Sequence, residues 1–386
     1  MTLRDHFLLD PDIAFLNHGS FGACPREVLE AQQRWQWEME RNPVDFLGRR
    51  SAALLAEARD ALGTEIGAAG ADLVFVPNST TGVNVVARSI CLQAGDEVLS
   101  TNLEYGACDA TWLRVCAQQG AHYRQVELPL PLRPEQVVAS LVAAMGPRTR
   151  LVYLSHITST TALILPVAEV CAAARARGIP VFVDGAHAPG QIPLDLSALG
   201  ADFYVGNCHK WQCAPKGSAF LHARPEHQPL LDATVTSWGY AADSGGHSGF
   251  DAYLGRSLFE RRMQWQGTRD ISAWLTVPAA LAFQARHDWH QVRQRSHALA
   301  AQAQQALCQR FGLAPISGDE AWAQMVAIPV PPQDPEALRQ RLWVESRIEV
   351  PITQHGGQTF VRVSAQAYTS EADIERLLAA PALRSP

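Results

Sequence analysis

Residues 181–217 read VFVDGAHAPGQIPLDLSALGADFYVGNCHKWQCAPKG. This stretch sets an acid and a lysine at the ends of two apolar runs. Ile179 to Val183 is a short β-branched run that stops at Asp184 and Gly185, and Asp202 to Gly206 is a second that stops at Asn207, Cys208, His209 and Lys210. Both read as buried strands. Ligands of open α/β sheets bind beyond the carboxyl ends of the strands, so Asp184, His187, His209 and Lys210 are expected to converge on one crevice.

Pyridoxal phosphate (PLP) requires groups of this kind. A lysine amine takes the aldehyde as a Schiff base, a carboxylate pairs with the protonated ring nitrogen, and donors hold the phenolate oxygen and the phosphate. DGAHAPG followed by a strand and NCHKW resembles the class V aminotransferase family of fold-type I PLP enzymes, and within it the isopenicillin N epimerase-like branch. The resemblance covers nearly the whole chain. It implies an α/β fold: a large domain with a mostly parallel seven-stranded sheet between helices, and a smaller α+β C-terminal domain. It assigns Lys210 to the Schiff base, Asp184 to the ring nitrogen, His187 to the phenolate oxygen and His209 to the phosphate. Lys216 competes, but it stands between Pro215 and Gly217 in a turn, whereas the family's lysine directly follows a histidine.

The chain has 386 residues, 47% of them hydrophobic, and a net charge of −6. That length supports one large and one smaller domain, and the charge gives no basic field, so nucleic acid is not an expected partner. The opening MTLRDHFLLDPDIAF has no apolar core of signal-peptide length and no apolar run reaches membrane-spanning length. A cytoplasmic location without membrane association is the expectation, with the eight cysteines reduced. Cys208, His209 and Cys213 lack a companion pair of zinc-like spacing, so no metal is expected.

Other segments supply candidates around the same crevice. Asp72 to Val76 reads as a strand, followed by Pro77-Asn78-Ser79-Thr80-Thr81-Gly82 and an amphipathic helix. Ser79, Thr80 and Thr81 are candidates for the phosphate at that helix start, with ordinary capping by Ser79 as the alternative. The strand Glu97 to Ser100 leads to Tyr105, which the resemblance places flat on the pyridine ring; a half-buried packing residue is the other reading. Arg150 to Leu154 leads to His156, a secondary candidate near substrate. LNHGSFG at residues 16–22 is a glycine-punctuated turn before a helix from Glu27 toward Glu40. It is not a Gly-x-Ser-x-Gly elbow, since His18 stands where the first glycine would be. The resemblance implies that this arm, through Asn17 and His18, reaches the substrate.

A polar loop, Ser237 to Gly249, is long enough to gate a site. Gln266-Gly267-Thr268 resembles the family segment that crosses a dimer to the neighbour's phosphate, so Gly267 and Thr268 are cofactor candidates and a homodimer with shared sites is implied. A long helical pattern, Ile271 to Gln309, precedes strands near Met325 to Val330 and Thr359 to Val363, with a helix from Pro335 to Glu345. Arg362 lies in FVRVSAQAYTSEADIERL, which resembles the family's closing stretch, where an arginine binds the substrate carboxylate; its planar fork suits that task. The expected division is an arm at 1–26, a PLP-binding domain at 27–270 and a small domain at 271–386.

These residues imply an enzyme that acts at Cα of a small-molecule amino-acid substrate, with Lys210 removing the α-proton. Epimerisation would need a second acid, for which Tyr105 and His18 are candidates; transamination and carbon–sulfur elimination remain open. Sulfur transfer to a protein thiol is disfavoured, because Cys308 sits in a helical pattern and residues 318–325 hold no cysteine. A non-catalytic PLP-fold binder is the contrasting reading, and intact Asp184, His209, Lys210 and Arg362 argue against it.

Overall fold

A computed structural model describes residues 2–244 and 254–384. Seven strands share one sheet: β1 (Leu73–Val76), β2 (Glu97–Thr101), β3 (His122–Val126), β4 (Thr149–Ser155), β5 (Val181–Gly185), β6 (Phe203–Asn207) and β7 (Ala219–Ala223). Their spatial order is β1-β7-β6-β5-β4-β2-β3. Only β7 runs against its neighbours; the other pairs are parallel. Strands β1, β2, β4, β5 and β6 therefore end at the same edge of the sheet, and β7 starts there.

The strands read as continuous apolar runs because both sheet faces are covered. Val181 and Val183 belong to one buried cluster with Leu55 and Leu62 of the helix α1 (Ser51–Ile66). Phe182, between them, belongs to a second, with Val83 and Val86 of α2 (Ser79–Ser89) and Trp112 and Val115 of α3 (Gly106–Gln119). The same division separates Leu151 and Tyr153 from Val152 and Leu154, as the two-residue period of a strand requires. Truncating the fully buried Phe182 to alanine would cost about 3–5 kcal/mol.

A smaller antiparallel sheet follows, formed by β8 (Met325–Val330), β9 (Ile352–His355) and β10 (Gln358–Ser364) in the order β9-β10-β8. Its buried cluster takes Leu338 and Leu342 from the helix Pro335–Ser346, and Ala14 and Leu16 from the N-terminal arm. The arm is stitched on by backbone bonds: Ala14–Phe15 pairs with Ile348–Glu349, and the Ser364 amide donates to the Leu16 carbonyl at 2.9 Å. That attachment delivers Gly19, Ser20 and Phe21 to the end of the large sheet.

Two readings of the sequence change. The pattern from Ile271 to Gln309 is three helices, Ser272–Leu275, Val277–Arg286 and Trp289–Phe311. The last break falls at Asp288, whose φ is 43° and whose carboxylate caps the final helix through the Gln291 amide. Ser79 is not the cap of α2; Asn78 is, accepting from the Thr81 amide at 2.8 Å. The edge strand β3 and the hairpin strand β9 had no apolar alternation to announce them. The polar loop begins as a 3-10 helix, Trp238–Ser244, and its residues from 245 to 249 lie outside the described residues.

Candidate active site

A cavity of about 590 Å³ lies beyond the shared edge of the large sheet, between it and the N-terminal arm. Asp184 ends β5 inside it, only 3% exposed. The Ala186 amide donates to one carboxylate oxygen at 2.9 Å, and the Tyr153 hydroxyl (3.2 Å) and Cys108 thiol (3.6 Å) donate to the other. Burial pushes the Asp184 pKa up, while those donors and nearby Lys210 favour the anion.

Lys210 follows β6 in a tight turn closed by Cys213 N–H to the Lys210 carbonyl and Ala214 N–H to the Cys208 carbonyl. Gly22 packs against this turn at φ +71°, where a Cβ would lie 2.0 Å from the His209 carbonyl oxygen. The Lys210 Nζ lies 3.0 Å from His187 Nε2. Burial, and secondarily the Arg362 charge, lower the Lys210 pKa to about 7. Lys216 does not line the cavity; its ammonium donates to the Gly22 carbonyl at 2.9 Å.

On the α2 side, Ser79 and Thr80 line the cavity. The Ser79 amide donates to Asn207 Oδ1, but its hydroxyl is buried with no hydrogen-bond partner. A buried donor left unpaired costs free energy, so an oxygen-rich ligand at this helix start would satisfy it. His209 lines the same side, with Nδ1 on the Ser218 carbonyl at 2.8 Å and a pKa lowered by burial to about 4. The lysine, the buried carboxyl group of Asp184, the imidazole beside the lysine and the orphaned hydroxyl at a helix start together fit PLP.

Across the cavity stand Tyr105, 47% exposed, and Arg362, 4% exposed. Arg362 Nη1 donates to the Ser159 carbonyl and hydroxyl, and Nη2 donates to the Ser20 hydroxyl at 3.1 Å. Its Nε is buried without an acceptor, and no carboxylate pairs with it among the described residues. Burial lowers its pKa to about 10.

Lys210, Asp184, Tyr105, Ser79, Thr80, His187, His209 and Arg362 therefore share one cavity. Thr81 does not line it; its amide and hydroxyl are both bound to Asn78. Asn17 lies behind the arm, bonded to Glu349 and Ser20. His18 is fully buried with Nδ1 on the Tyr368 hydroxyl and Nε2 on the Lys210 carbonyl, and burial lowers its pKa to about 3. It braces the lysine turn and leaves no ring nitrogen for a ligand, which removes it as the second acid. His156 bonds Tyr204 outside the cavity. Gly267 and the exposed Thr268 lie away from it, Gly267 in a small recess beside Leu47. Ser20, Ser155, Ser159 and Asn207 line the cavity without having been singled out as ligands; Asn207, adjoining the lysine motif, carried the one visible signal.

Among the described residues there is no cluster of three or more potential metal ligands, and no helix is long and apolar enough to cross a membrane.

The sheet order and this constellation define a fold-type I enzyme with a lysine-bearing site. The family model for aminotransferase class-V matches residues 16–377. The chain is 41% identical over 379 residues to isopenicillin N epimerase of Streptomyces clavuligerus, covering 97% of this chain and 95% of that protein. It is 30% identical over 409 residues to putative L-cysteine desulfhydrase 1 of Oryza sativa subsp. japonica, covering 95% and 82%. A solved structure of a C-DES mutant with glycine covalently linked to its PLP cofactor aligns with a TM-score of 0.84 at 26% identity, over 98% of each chain. The chain belongs to the class-V aminotransferase family, whose members are PLP-dependent enzymes.

Proposed function

We propose that this chain uses PLP to act at Cα of an amino acid, in the manner of isopenicillin N epimerase. One observation carries the proposal: a partly buried lysine amine whose pKa falls to about 7 shares a cavity with a buried carboxyl group and an arginine that has no carboxylate partner among the described residues. Bound PLP supplies a ring that draws electrons from Cα and so acidifies its hydrogen. Asp184 holds the ring nitrogen and His187 the phenolate oxygen. Ser79, Thr80 and His209 hold the phosphate, and Tyr105 covers the ring. Arg362 orients the amino acid by its carboxylate, with Ser20 and Ser159 fixing the guanidinium. Lys210 holds the aldehyde carbon and then moves the α-proton, a task for which a base near neutrality is suited. Tyr105, a half-exposed side chain at the cavity, is the candidate second acid for epimerisation.

The division into an arm at 1–26, a PLP-binding domain at 27–270 and a small domain at 271–386 forms part of the proposal. So does a cytoplasmic homodimer in which Gly267 and Thr268 reach the partner's phosphate; neither residue lines the cavity of its own chain, which supports that reading. Carbon–sulfur elimination is the second reading, favoured by the desulfhydrase relative. No described cysteine lines the cavity, so sulfur would leave as free sulfide.

The test is a panel of amino acids incubated with PLP-loaded protein in deuterium oxide, with α-deuterium, chirality, keto acid, pyruvate and sulfide all measured. The expected outcome is lysine-dependent α-deuterium incorporation with loss of chirality for at least one substrate. Sulfide and pyruvate would select the second reading, and bound PLP with no exchange for any amino acid would reject Cα chemistry.

A further inference from the structure

One buried acid near the cavity has no part in the chemistry above. Glu104 is 6% exposed. Its Oε1 is 2.6 Å from the Thr101 hydroxyl and its Oε2 is 2.6 Å from the Ser155 hydroxyl. Thr101 Oγ1 also accepts the Leu103 amide at 3.2 Å, which leaves its own hydrogen to donate to Glu104. Ser155 ends β4, lines the cavity and lies in register with Asp184 on β5.

The surroundings of Glu104 are acidic or neutral. Asp184 faces it from β5 and Asp109 from α3, with Tyr123 of β3 hydrogen-bonded to Asp109 at 2.7 Å. Tyr153 of β4 donates to Asp184. No lysine, arginine or histidine forms an ion pair with Glu104 among the described residues. Asp184 has Lys210 near it; Glu104 has no such compensation.

We propose that Glu104 stays a neutral carboxylic acid and, by donating its own hydrogen to Ser155, forces the Ser155 hydroxyl to donate into the cavity toward an anionic oxygen of the bound cofactor. The geometry has two states. A neutral Glu104 gives its O–H to Ser155 Oγ, and the serine hydrogen is free to face the cavity. An ionised Glu104 takes the serine hydrogen, and only lone pairs then face an anionic ligand. Burial, and secondarily Asp184 and Asp109, raise the Glu104 pKa to about 8, so the donating state holds at neutral pH. Glu104 is thus a positioning residue that acts through Ser155. The inference rests on the PLP reading only for the identity of the ligand.

The protonation state can be read on the apo protein. Infrared difference spectra between wild type and Glu104→Gln should show the carbonyl band of a protonated carboxylic acid at pH 7, fading as pH rises through about 8. PLP titrations supply the second readout. Glu104→Ala should weaken PLP binding, and Glu104→Gln, whose amide also donates to Ser155, should restore it. Above pH 8 wild-type affinity should fall by up to about tenfold per pH unit more than that of Glu104→Gln, the limit for one coupled proton. Ser155→Ala should lack that extra slope and serves if the Glu104 variants fail to fold. Absence of the infrared band at pH 7, or an extra slope that survives in Glu104→Gln, overturns the inference. PLP failing to bind any variant would reject the cofactor reading instead, and the infrared band would still decide the state of Glu104.

Discussion

Replacing Arg362 with methionine separates recognition of a substrate carboxylate from a purely structural role. In the free protein the guanidinium is buried without a counter-ion among the described residues, and its pKa is lowered from 12.5 to about 10. At about 1.4 kcal/mol per pH unit, that burial costs the free protein roughly 3 kcal/mol. Three contacts offset it, to the Ser159 carbonyl, the Ser159 hydroxyl and the Ser20 hydroxyl, each worth about 1 kcal/mol. The two sums nearly cancel, so Arg362→Met should leave the unfolding free energy of the apo protein within about 1 kcal/mol of wild type. Ligand binding should respond very differently. A carboxylate bound to the Nε and Nη2 edge would be charge-assisted and desolvated, and removing such a partner costs about 2–5 kcal/mol, roughly 30-fold to several thousand-fold in affinity. The assay compares titrations of an amino acid and its carboxamide against PLP-loaded protein, with urea unfolding of both apo proteins alongside. Wild type should prefer the acid, and Arg362→Met should bind acid and amide nearly alike. An acid preference that survives in the variant would place carboxylate recognition elsewhere. A fall in apo stability as large as the loss of affinity would make Arg362 structural.

Lys210→Ala should abolish both α-deuterium exchange and the visible absorbance of amine-linked cofactor, whereas Lys216→Ala should keep them; the converse result would transfer the attachment to Lys216. In wild type the exchange rate should climb as pH rises through about 7, where the Lys210 amine loses its proton, and a rate flat from pH 6 to 8 would deny it the role of base. Gly22→Ala should destabilise the lysine turn by a few kcal/mol, because a left-handed φ and a 2.0 Å approach to the His209 carbonyl leave no room for a methyl group; an unchanged denaturation midpoint would show that the arm can move away. His18, His156 and His222 are buried and His209 is partly buried, and desolvation lowers the four pKa values from 6.5 to about 3 or 4. Their folded-state neutrality contributes stability that is complete above pH 6.5 and is lost as pH falls toward 4. The urea midpoint should therefore drop steeply over that interval, and His18→Gln should reduce the slope; equal slopes would exclude His18 as a contributor.

The elements that the chain announced most clearly are those with both faces buried. β5 and β6 are continuous apolar runs that end in polar residues, and that change in composition marks both the strand and the end that borders the cavity. β3 at the sheet edge, HYRQV, buries no residue of its own, and β9, ITQH, has only partial burial, so neither carries a signal stronger than that of a loop. The helical pattern after Ile271 hid its breaks because alanine-rich sequence favours helix on either side of them, and the turn at Asp288 depends on one residue accepting a left-handed backbone.

Local sequence by itself determined the chemistry: an acid and a lysine, each at a strand end, with histidines beside them, because strand periodicity and the edge rule need only neighbouring residues. Tertiary packing decided which candidates meet. It brought Ser20 onto Arg362 across 342 positions and turned His18 under the Lys210 carbonyl. It also left Glu104 buried without a cation and bonded to Ser155 across 51 positions. Burial and partner geometry set the charge of each of these groups, and both arise from contacts between distant segments that no local pattern encodes.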